Sequence, residues 1–355
     1  MWLRIVLLVL LSMGGWAWAK APQLNVIDGA PSVYTVKKGD TLWDISGHFL
    51  ENPWLWPELW KVNDYIKNPH LIYPGDKIYL VWVDGKPQLQ LKRTMKLSPT
   101  VKVVRAPVTT LRSSLLLPYL NQDKLVTPAA LDRLPRVLGS SEAKGYMSAG
   151  DTLWVDQALT AGETWWVYRP DVTFEREVAE GEMPKVLAMK EVARAKVVSN
   201  NGEKSRLELE MFLREVKQND VLLPAPLPAE RLAMSFSPSR PEPTLSAKVL
   251  GLLGGGMKYM ATNDVVVMDI GHLDSAAAGN VFTVYPEDVE VIERGGEYTY
   301  EIPSYIRDDE KVSLEAMPIG EVMVIRAYEH FSLAVVTKAT APLPAGAKAL
   351  PPVYE

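Results

Sequence analysis

The fold is decided first by Tyr34-Thr35-Val36-Lys37-Lys38-Gly39-Asp40-Thr41-Leu42-Trp43-Asp44-Ile45. The opening residues alternate as a strand does, and Lys37–Asp40 has the composition of a turn. Thr41 suits the cap of a helix, and the apolar residues after it recur at helical spacing: Leu42, Ile45, Phe49 and Leu50. The stretch therefore predicts a strand, a tight turn and a helix.

The residues that follow predict a second helix and a closing strand. Asn52-Pro53 ends the first helix, because the residue before a proline avoids helical geometry. Proline suits the first turn of a helix, so a second helix is expected from Pro57 to about Asn63. Ile72–Asp76 has the composition of a turn, and Lys77–Val81 that of a strand. The predicted order is β-α-α-β over residues 34–81.

These blocks of sequence resemble the lysin-motif (LysM) family. The resemblance depends on three matches in the right order, Tyr34–Ile45, Asn63 and Ile72–Ile78. It implies a β-α-α-β fold that binds glycans containing N-acetylglucosamine, such as peptidoglycan or chitin. The chain departs from the family pattern at Glu51–Pro57, which is longer than the usual linker and rich in tryptophan.

The resemblance also implies that the glycan lies in a shallow groove between two loops. Backbone groups of the loop before the first helix would line one wall, namely those of Gly39, Asp40, Thr41 and Leu42. The loop before the last strand would line the other wall with Leu71, Ile72 and Tyr73. Gly39 has no side chain to keep the backbone away from a ligand. Structural roles stay open beside these, with Asp40 in the turn, Thr41 as the helix cap and Leu42 in the core.

Two tryptophans, Trp54 and Trp56, are candidates for the rim of this groove, because an aromatic ring suits the apolar face of a sugar. The alternative is that they fill the centre of a module too small to do without bulky side chains. Residues 34–80 hold five lysines against six acids, a balance of −1 (5 − 6). We therefore expect a neutral ligand, bound through shape and hydrogen bonds.

The composition excludes several classes of function. The chain has 355 residues, a formal charge of −5 and no cysteine. Thiol nucleophiles, cysteine-ligated zinc and a lipid anchor on cysteine are therefore excluded, and the mild acidity argues against nucleic acid as a partner. The histidines are too far apart in sequence for a zinc-peptidase motif: His48, His70, His272 and His330. We expect neither a metal nor a cofactor.

Residues 1–19 have the form of a signal peptide. Arg4 precedes the apolar run Ile5–Leu11, and small residues lead to Ala17-Trp18-Ala19. We expect export to the periplasm or cell envelope with cleavage after Ala19, and no stable membrane span thereafter. An uncleaved anchor is the alternative, because Leu3–Ala19 is nearly long enough to cross a bilayer.

Most of the remaining chain alternates as β-strands do. The predicted division is a linker (20–33), the LysM-like module (34–81), a linker with short helices (82–145), a β-rich domain (146–224), a proline-rich linker (225–245) and a second β-rich domain (246–355). A weak repeat relates the two β domains, since the spacing from Gly162 to Tyr168 recurs from Gly279 to Tyr285. The predicted class is α+β, a small β-α-α-β module followed by two related, mostly β units.

Together these features predict a non-catalytic binding protein of the cell envelope. Its module would hold peptidoglycan or a related polymer, and its β-rich tail would contact an envelope protein. The alternative is a peptidoglycan hydrolase or lytic transglycosylase with catalytic carboxylates in the tail, since cleavage of a glycosidic bond needs only Asp and Glu side chains. A cleft lined by close, buried carboxylates would favour this alternative.

Overall fold

A computed structural model describes residues 24–60, 72–92, 125–178, 181–224, 237–256, 258–294, 296–300 and 311–353. The predicted signal peptide, Asn63, His70, Leu71 and residues 225–236 of the proline-rich segment lie outside these ranges. A small module with helices precedes a body made mostly of strands. The predicted α+β class is therefore confirmed.

The N-terminal module has a three-stranded sheet and two short helices. Strand β1 (Val33–Thr35) pairs antiparallel with β2 (Lys77–Val83), which pairs with β3 (Lys86–Lys92). Between β1 and β2 lie helix α1 (Leu42–Gly47), a 3-10 turn (Pro53–Leu55) and helix α2 (Trp56–Trp60). The observed order contains the β-α-α-β unit expected from the sequence.

The module extends beyond both of its predicted ends. Strand β3, assigned from sequence to a linker, follows a tight turn in which Asp84 and Gly85 have φ angles of 50° and 73°. Its side chains Leu89 and Leu91 are buried in the core of the module. On the other side, Ile27 N donates a 3.0 Å hydrogen bond to Phe49 O, so the segment before β1 lies against the module.

The first β domain is a seven-stranded sheet with one short helix, α3 (Pro128–Leu131). Its strands run in the order β10-β7-β8-β9-β6-β5, and β4 pairs with β8. Their bounds are β4 (Leu125–Val126), β5 (Val137–Gly139), β6 (Thr152–Val155), β7 (Thr164–Glu175), β8 (Lys185–Asn200), β9 (Ser205–Phe212) and β10 (Val221–Pro224). The two ends of the sheet meet, because Leu222 N donates to Pro135 O at 2.8 Å. The sheet thus includes strands β4 and β5, which precede residue 146, the predicted start of this domain.

The second β domain is a closed barrel of strands in the order β11-β13-β19-β18-β14-β21, in which β11 also pairs with β21. These strands are β11 (Ala247–Leu252), β13 (Val265–Met268), β14 (Val281–Tyr285), β18 (Gly320–Ala327), β19 (Ser332–Ala339) and β21 (Lys348–Leu350). A two-stranded ribbon joins β12 (Tyr259–Met260) to β20 (Leu343–Pro344). A separate three-stranded sheet contains β15 (Val289–Arg294), β16 (Glu297–Thr299) and β17 (Lys311–Leu314).

The two β domains share one topology. Strands β5, β6, β7, β8, β9 and β10 have the neighbours that β11, β13, β14, β18, β19 and β21 have in the second domain. Individual hydrogen bonds recur as well: Gly162 N donates to Val197 O at 2.8 Å, and Gly279 N donates to Val324 O at the same distance. The spacing that suggested a repeat in the sequence therefore falls on equivalent strands.

A side-chain contact is also repeated at the start of each domain. Asp156 Oδ1 accepts a 2.7 Å hydrogen bond from Arg136 N, and Asp269 Oδ1 accepts one of 2.6 Å from Lys248 N. Arg136 directly precedes β5, and Lys248 is the second residue of β11. Asp156 directly follows β6, and Asp269 directly follows β13. We therefore describe the domains as two copies of one fold.

Each copy carries an extension between its third and fourth strands. We call the sheet of the first copy, whose two ends meet, the first barrel, and the closed barrel of the second copy the second barrel. In the first copy, β7 and β8 continue as a pair beyond the first barrel, over residues 169–175 and 185–191, and we call this pair the first arm. In the second copy, β15, β16 and β17 occupy the equivalent place between β14 and β18, and we call them the second arm.

Candidate functional site

Backbone hydrogen bonds of Val36 hold the two predicted groove loops side by side. Val36 N donates to Asp76 O at 2.9 Å, and Gly75 N donates to Val36 O at 2.8 Å. Val36 directly precedes the turn Lys37–Asp40, whereas Gly75 and Asp76 end the loop that contains Ile72 and Tyr73. The structure thus brings the two predicted walls together, with Leu71 outside the described residues.

The first wall is fixed by the carboxylate of Asp40. Its Oδ2 accepts a 2.7 Å hydrogen bond from Lys37 N and a 2.8 Å hydrogen bond from the hydroxyl of Tyr34. Burial, followed by the hydrogen bond to Asp40, raises the pKa of Tyr34 to about 12, so Tyr34 remains a donor throughout the neutral range. The ring of Tyr34 stacks on His48 with a centroid distance of 4.5 Å.

Neither Tyr34 nor His48 belongs to the set of site residues predicted from sequence. Tyr34 forms part of the matched pattern, but spacing alone does not indicate that its hydroxyl reaches a residue six positions later. His48 directly follows α1, and its contact with Tyr34 of β1 joins residues that lie far apart in the sequence pattern.

Gly39 leaves open space at the first wall. Its φ angle of +96° lies in the region that favours glycine, and an added Cβ would meet no atom within 4 Å. The backbone here therefore faces free space, with no side chain between it and a ligand.

Thr41 and Leu42 have structural side chains. The hydroxyl of Thr41 accepts a 3.0 Å hydrogen bond from Asp44 N, and Asp44 Oδ2 accepts one of 3.1 Å from Thr41 N. This reciprocal pair is a capping box at the start of α1. The side chain of Leu42 is fully buried, so only backbone groups of these two residues are available to line the groove.

The second wall combines one buried and one accessible side chain. Ile72 is fully buried in the core of the module, whereas Tyr73 is half-buried. Tyr73 N donates a 3.1 Å hydrogen bond to Asp76 Oδ2, which fixes the loop from within. Of the two described residues of this wall, Tyr73 is therefore the one whose side chain is accessible to solvent.

The suggested role of Trp54 and Trp56 at the groove rim is not supported. Their side chains are 4% and 2% exposed and belong to the core of the module, together with Trp43 and Trp60. A small module needs large side chains to exclude water from its centre, so the bulk of these rings goes into packing. The aromatic departure from the family pattern thus changes the core and not the rim.

A second concave feature lies between the first arm and the second barrel. This cleft has a volume of about 330 Å³, and its polar lining includes Asp171, Lys190, Asn263 and Asp264. Asp171 pairs with Lys190 at 3.4 Å, and Asp264 Oδ2 accepts a 2.8 Å hydrogen bond from Ala261 N.

Burial raises the pKa of two carboxyl groups elsewhere in the second barrel, Asp269 and Glu321. Neither residue lines the cleft. Within the described residues, the carboxyl groups whose pKa is raised by burial therefore lie apart from this concave site.

The helices of the described residues are all too short or too polar to cross a membrane. This finding covers residues 24–60, 72–92 and the described ranges from 125 onward.

Comparison with known proteins assigns a family to the N-terminal module. The LysM domain family matches residues 34–81. The uncharacterized protein YqbP of Bacillus subtilis (strain 168) is 46% identical over 59 residues, which are 14% of this chain and 27% of YqbP. The chain thus matches about a quarter of the length of that relative. With the β-α-α-β order, the capped first helix and the two apposed loops, the match leads to one conclusion: residues 34–81 form a LysM domain, a module that binds glycans of the N-acetylglucosamine type.

Proposed function

We propose that the protein is a non-catalytic, peptidoglycan-binding protein of the cell envelope. The LysM domain holds the glycan, and the two β domains form the part that contacts a protein partner. The observation that carries the proposal is the open backbone wall at Gly39, in a loop that hydrogen bonds of Val36 hold against the loop of Tyr73 within the matched region.

The chemistry of this groove suits an N-acetyl sugar. An acetamido group presents one N–H donor and one C=O acceptor, and loop backbone offers the complementary groups. The described part of the domain has no large excess of either charge near the loops, which suits a neutral glycan. A single shallow site of this kind supports weak binding, with a dissociation constant of roughly 10–1,000 μM, or about 4–7 kcal/mol.

The non-catalytic part of the proposal is supported by the positions of the carboxyl groups. A glycosidase uses one carboxylic acid and one carboxylate across the scissile bond, in a site that admits the sugar. In the described cleft, Asp171 is paired with Lys190 and Asp264 binds a backbone amide of its own turn. Both carboxylates are thus engaged in structural contacts of the described residues.

Localisation in the envelope is supported by the N-terminal sequence. Arg4, the run Ile5–Leu11 and the small residues before Ala19 have the order of a cleaved export signal. Export would bring the LysM domain to the compartment that contains peptidoglycan.

The test is retention of the mature protein on purified, insoluble peptidoglycan, compared with two glycine variants. Gly39→Trp fills the open space of the groove wall. Gly85→Trp is the matched control, because Gly85 also has a positive φ angle, +73°, and open space around its Cβ position, but lies in the β2–β3 turn. The strain of the backbone is thus similar in both variants.

We expect wild type and Gly85→Trp to be retained, and Gly39→Trp to bind at least about 10-fold more weakly. The supernatant is assayed for released muropeptides in the same tube, and we expect none. Release of fragments would support the hydrolase alternative. Equal retention of both variants, or none of wild type, would contradict the proposed groove.

A further inference from the structure

The cleft between the first arm and the second barrel is bounded by two surfaces that pack against each other. Arm and barrel share one cluster of buried residues, which contains Phe174, Val186, Ala188, Leu253 and Val265. A Cβ placed on Gly255, in the loop after β11, would overlap Cγ2 of Val172 in the arm. The guanidinium of Arg176 donates to both carboxylate oxygens of Asp274, at 2.6 Å and 2.7 Å. The walls of the cleft are therefore held in place by contacts outside it.

The lining of the cleft combines an apolar part with a charged part. The apolar part consists of Ala188, Met189, Leu252, Leu253 and Val265. The polar side chains are those of Asp171, Lys190, Asn263 and Asp264, with a charge balance of −1 (1 − 2). The volume of about 330 Å³ lies at the small end of the range for ligand sites, so the cleft suits a small molecule.

The turn before β13 has an equivalent in the first barrel. Asp264 directly precedes β13, and Asp151 directly precedes β6. Asp264 Oδ2 accepts a 2.8 Å hydrogen bond from Ala261 N, and Asp151 Oδ2 accepts one of the same length from Ser148 N. The two turns thus have the same arrangement, and their remaining contacts can be compared directly.

The two aspartates of these turns differ in their ionic partners. In the first copy, Lys144 Nζ donates to Asp151 Oδ1 at 2.8 Å, so the carboxylate is paired within the chain. In the second copy, no ion pair of the described residues reaches Asp264. Its carboxylate lines the cleft and is therefore open to a cation from outside the chain.

The residue before each aspartate differs as well. Gly150 has a φ angle of +83° and Asn263 one of +76°. Glycine adopts this region readily, whereas other residues are uncommon there. Within the described part of the chain, the side-chain amide of Asn263 makes no hydrogen bond. The second copy thus places an unused donor and acceptor at the cleft, where the first copy has glycine.

Lys190 supplies a positive charge on the opposite wall. Its Nζ lies 3.4 Å from Asp171 Oδ2, which is longer than the roughly 2.7–2.9 Å of a strong ion-pair hydrogen bond. An ammonium group has three donors, so Lys190 keeps the capacity to bind a second anion. The cleft therefore offers an anionic group on the barrel and a cationic group on the arm.

This combination disfavours several classes of ligand. None of the described lining residues is aromatic, whereas sugar sites commonly use an aromatic face. Two carboxylates against one lysine disfavour a phosphate group. The described residues contain no group of three side chains suited to a metal ion, and Lys190 would repel a cation placed beside Asp171. A small ligand that carries both charges fits best.

We propose that the cleft binds a dipeptide with free termini. The ammonium group of the dipeptide lies at Asp264, and its carboxylate lies at Lys190. Asn263 binds the peptide bond, which presents one N–H donor and one C=O acceptor. The side chains of the dipeptide lie against the apolar lining. The site lies in the β domains and goes beyond the proposed glycan binding of the LysM domain.

The site is tested by titrating the full mature chain with alanyl-alanine, with binding followed by saturation-transfer NMR. Two modified dipeptides serve as matched ligands, because N-acetyl-alanyl-alanine lacks the ammonium group and alanyl-alanine amide lacks the carboxylate. We expect alanyl-alanine to bind with a dissociation constant of roughly 1 mM or below, and each modified dipeptide to bind at least about 10-fold more weakly.

Variants of the chain locate the site. Asp264→Asn removes the charge and keeps an oxygen that can accept from Ala261 N, and we expect binding to weaken at least about 10-fold. Asp151→Asn is the matched control in the equivalent turn and should bind as wild type does. Lys190→Gln should weaken binding of alanyl-alanine and remove its advantage over the amide.

A wild type that does not bind alanyl-alanine at concentrations up to about 10 mM would overturn the proposal. So would equal binding of the acetylated dipeptide, or equal losses in Asp264→Asn and Asp151→Asn. None of these results depends on retention by peptidoglycan, so the cleft and the proposed function are tested separately.

Discussion

The hydroxyl of Tyr34 lies 2.8 Å from Oδ2 of Asp40 and ties strand β1 to the loop that precedes helix α1. The same oxygen accepts a hydrogen bond from the amide of Lys37, so one carboxylate fixes both ends of the turn. The geometry of the groove wall at Gly39 therefore depends on a side chain that need not touch the glycan itself.

Replacing Tyr34 with phenylalanine removes this hydrogen bond and keeps the ring that stacks on His48. We expect the free energy of unfolding of the LysM domain to fall by about 1 kcal/mol, together with weaker retention on peptidoglycan. Urea unfolding and the retention assay measure the two effects. Unchanged stability and retention would show that the turn holds its shape without Tyr34.

The same pair gives a prediction at alkaline pH. The pKa of Tyr34 is raised from 10.0 to about 12 in the folded protein, so folding favours the protonated phenol. Its contribution to stability is fully present below pH 10 and is lost as the pH rises towards 12. We therefore expect the stabilities of wild type and Tyr34→Phe to converge over this range. A constant difference from pH 8 to pH 12 would contradict the assigned cause.

Variants of Thr41 distinguish its role as the cap of helix α1 from a role in glycan contact. Thr41→Ala removes the acceptor for Asp44 N and should cost about 1 kcal/mol of stability, whereas Thr41→Ser keeps the hydroxyl and should resemble wild type. Thr127→Ala is a control, because Thr127 caps α3 outside the module. Circular dichroism during urea unfolding, with the retention assay, measures both properties. A serine variant of normal stability that no longer binds glycan would contradict the conclusion that Thr41 lines the groove with backbone groups alone.

Asp220 is the buried partner of Arg169 in the first barrel. Its two oxygens accept hydrogen bonds of 2.7 Å each from the guanidinium, and its side chain is 3% exposed. Asp220→Ala leaves Arg169 without this partner, so we expect the domain to lose roughly 3–5 kcal/mol of stability in urea unfolding. Asp171→Ala, at an exposed pair with Lys190, should cost less than about 1 kcal/mol. Equal effects at the two sites would contradict the role of burial.

Asp274 holds the first arm to the second barrel through Arg176. Burial raises the pKa of Asp274, but the hydrogen bonds from Arg176 and from Gly271 N outweigh it and leave the pKa below 3.8. The stabilising contribution is therefore present above about pH 3.8 and is lost only as the pH falls through the lower, folded-state pKa.

Asp274→Asn should accordingly loosen the contact between arm and barrel at neutral pH. We expect a larger radius of gyration by small-angle X-ray scattering, and faster proteolysis near residues 177–182, than in wild type at pH 7. At pH 4 wild type should still be compact. Identical scattering of the two proteins would show that the apolar contact alone fixes the arm.

The sequence predicts the LysM region well because its determinants are local. A glycine at positive φ, a threonine cap and a proline in the first helical turn each specify the backbone within a few residues. Tyr34, in contrast, reaches Asp40 only once β1 and the turn are in place. The paired loops were predicted from the family resemblance, and the hydrogen bonds of Val36 give the physical reason that they meet.

The structure differs from the sequence prediction at residues whose partners are distant in sequence. Alternation along residues 88–91 indicates a strand, but it does not indicate which sheet the strand joins, and residues 125–139 show no alternation. Likewise, an aromatic stretch such as Trp54–Trp56 suits a sugar surface and a core equally well by composition. Only the closing of β3 over α2 decides that these rings are interior.

Strand β3 also sets the C-terminal boundary of a stable glycan-binding fragment. A fragment cut at Val81, where the family match stops, would keep both groove loops but would lose Leu89 and Leu91 from the core. Strand β2 would then keep β1 as its partner on one side and have an open edge on the other, where the backbone of a neighbouring chain can pair with it. We expect such a fragment to aggregate. A binding assay with it would then show no affinity for the glycan, although both groove loops are present. The shortest well-behaved reagent for labelling cell walls should instead run from Leu24 to Lys92.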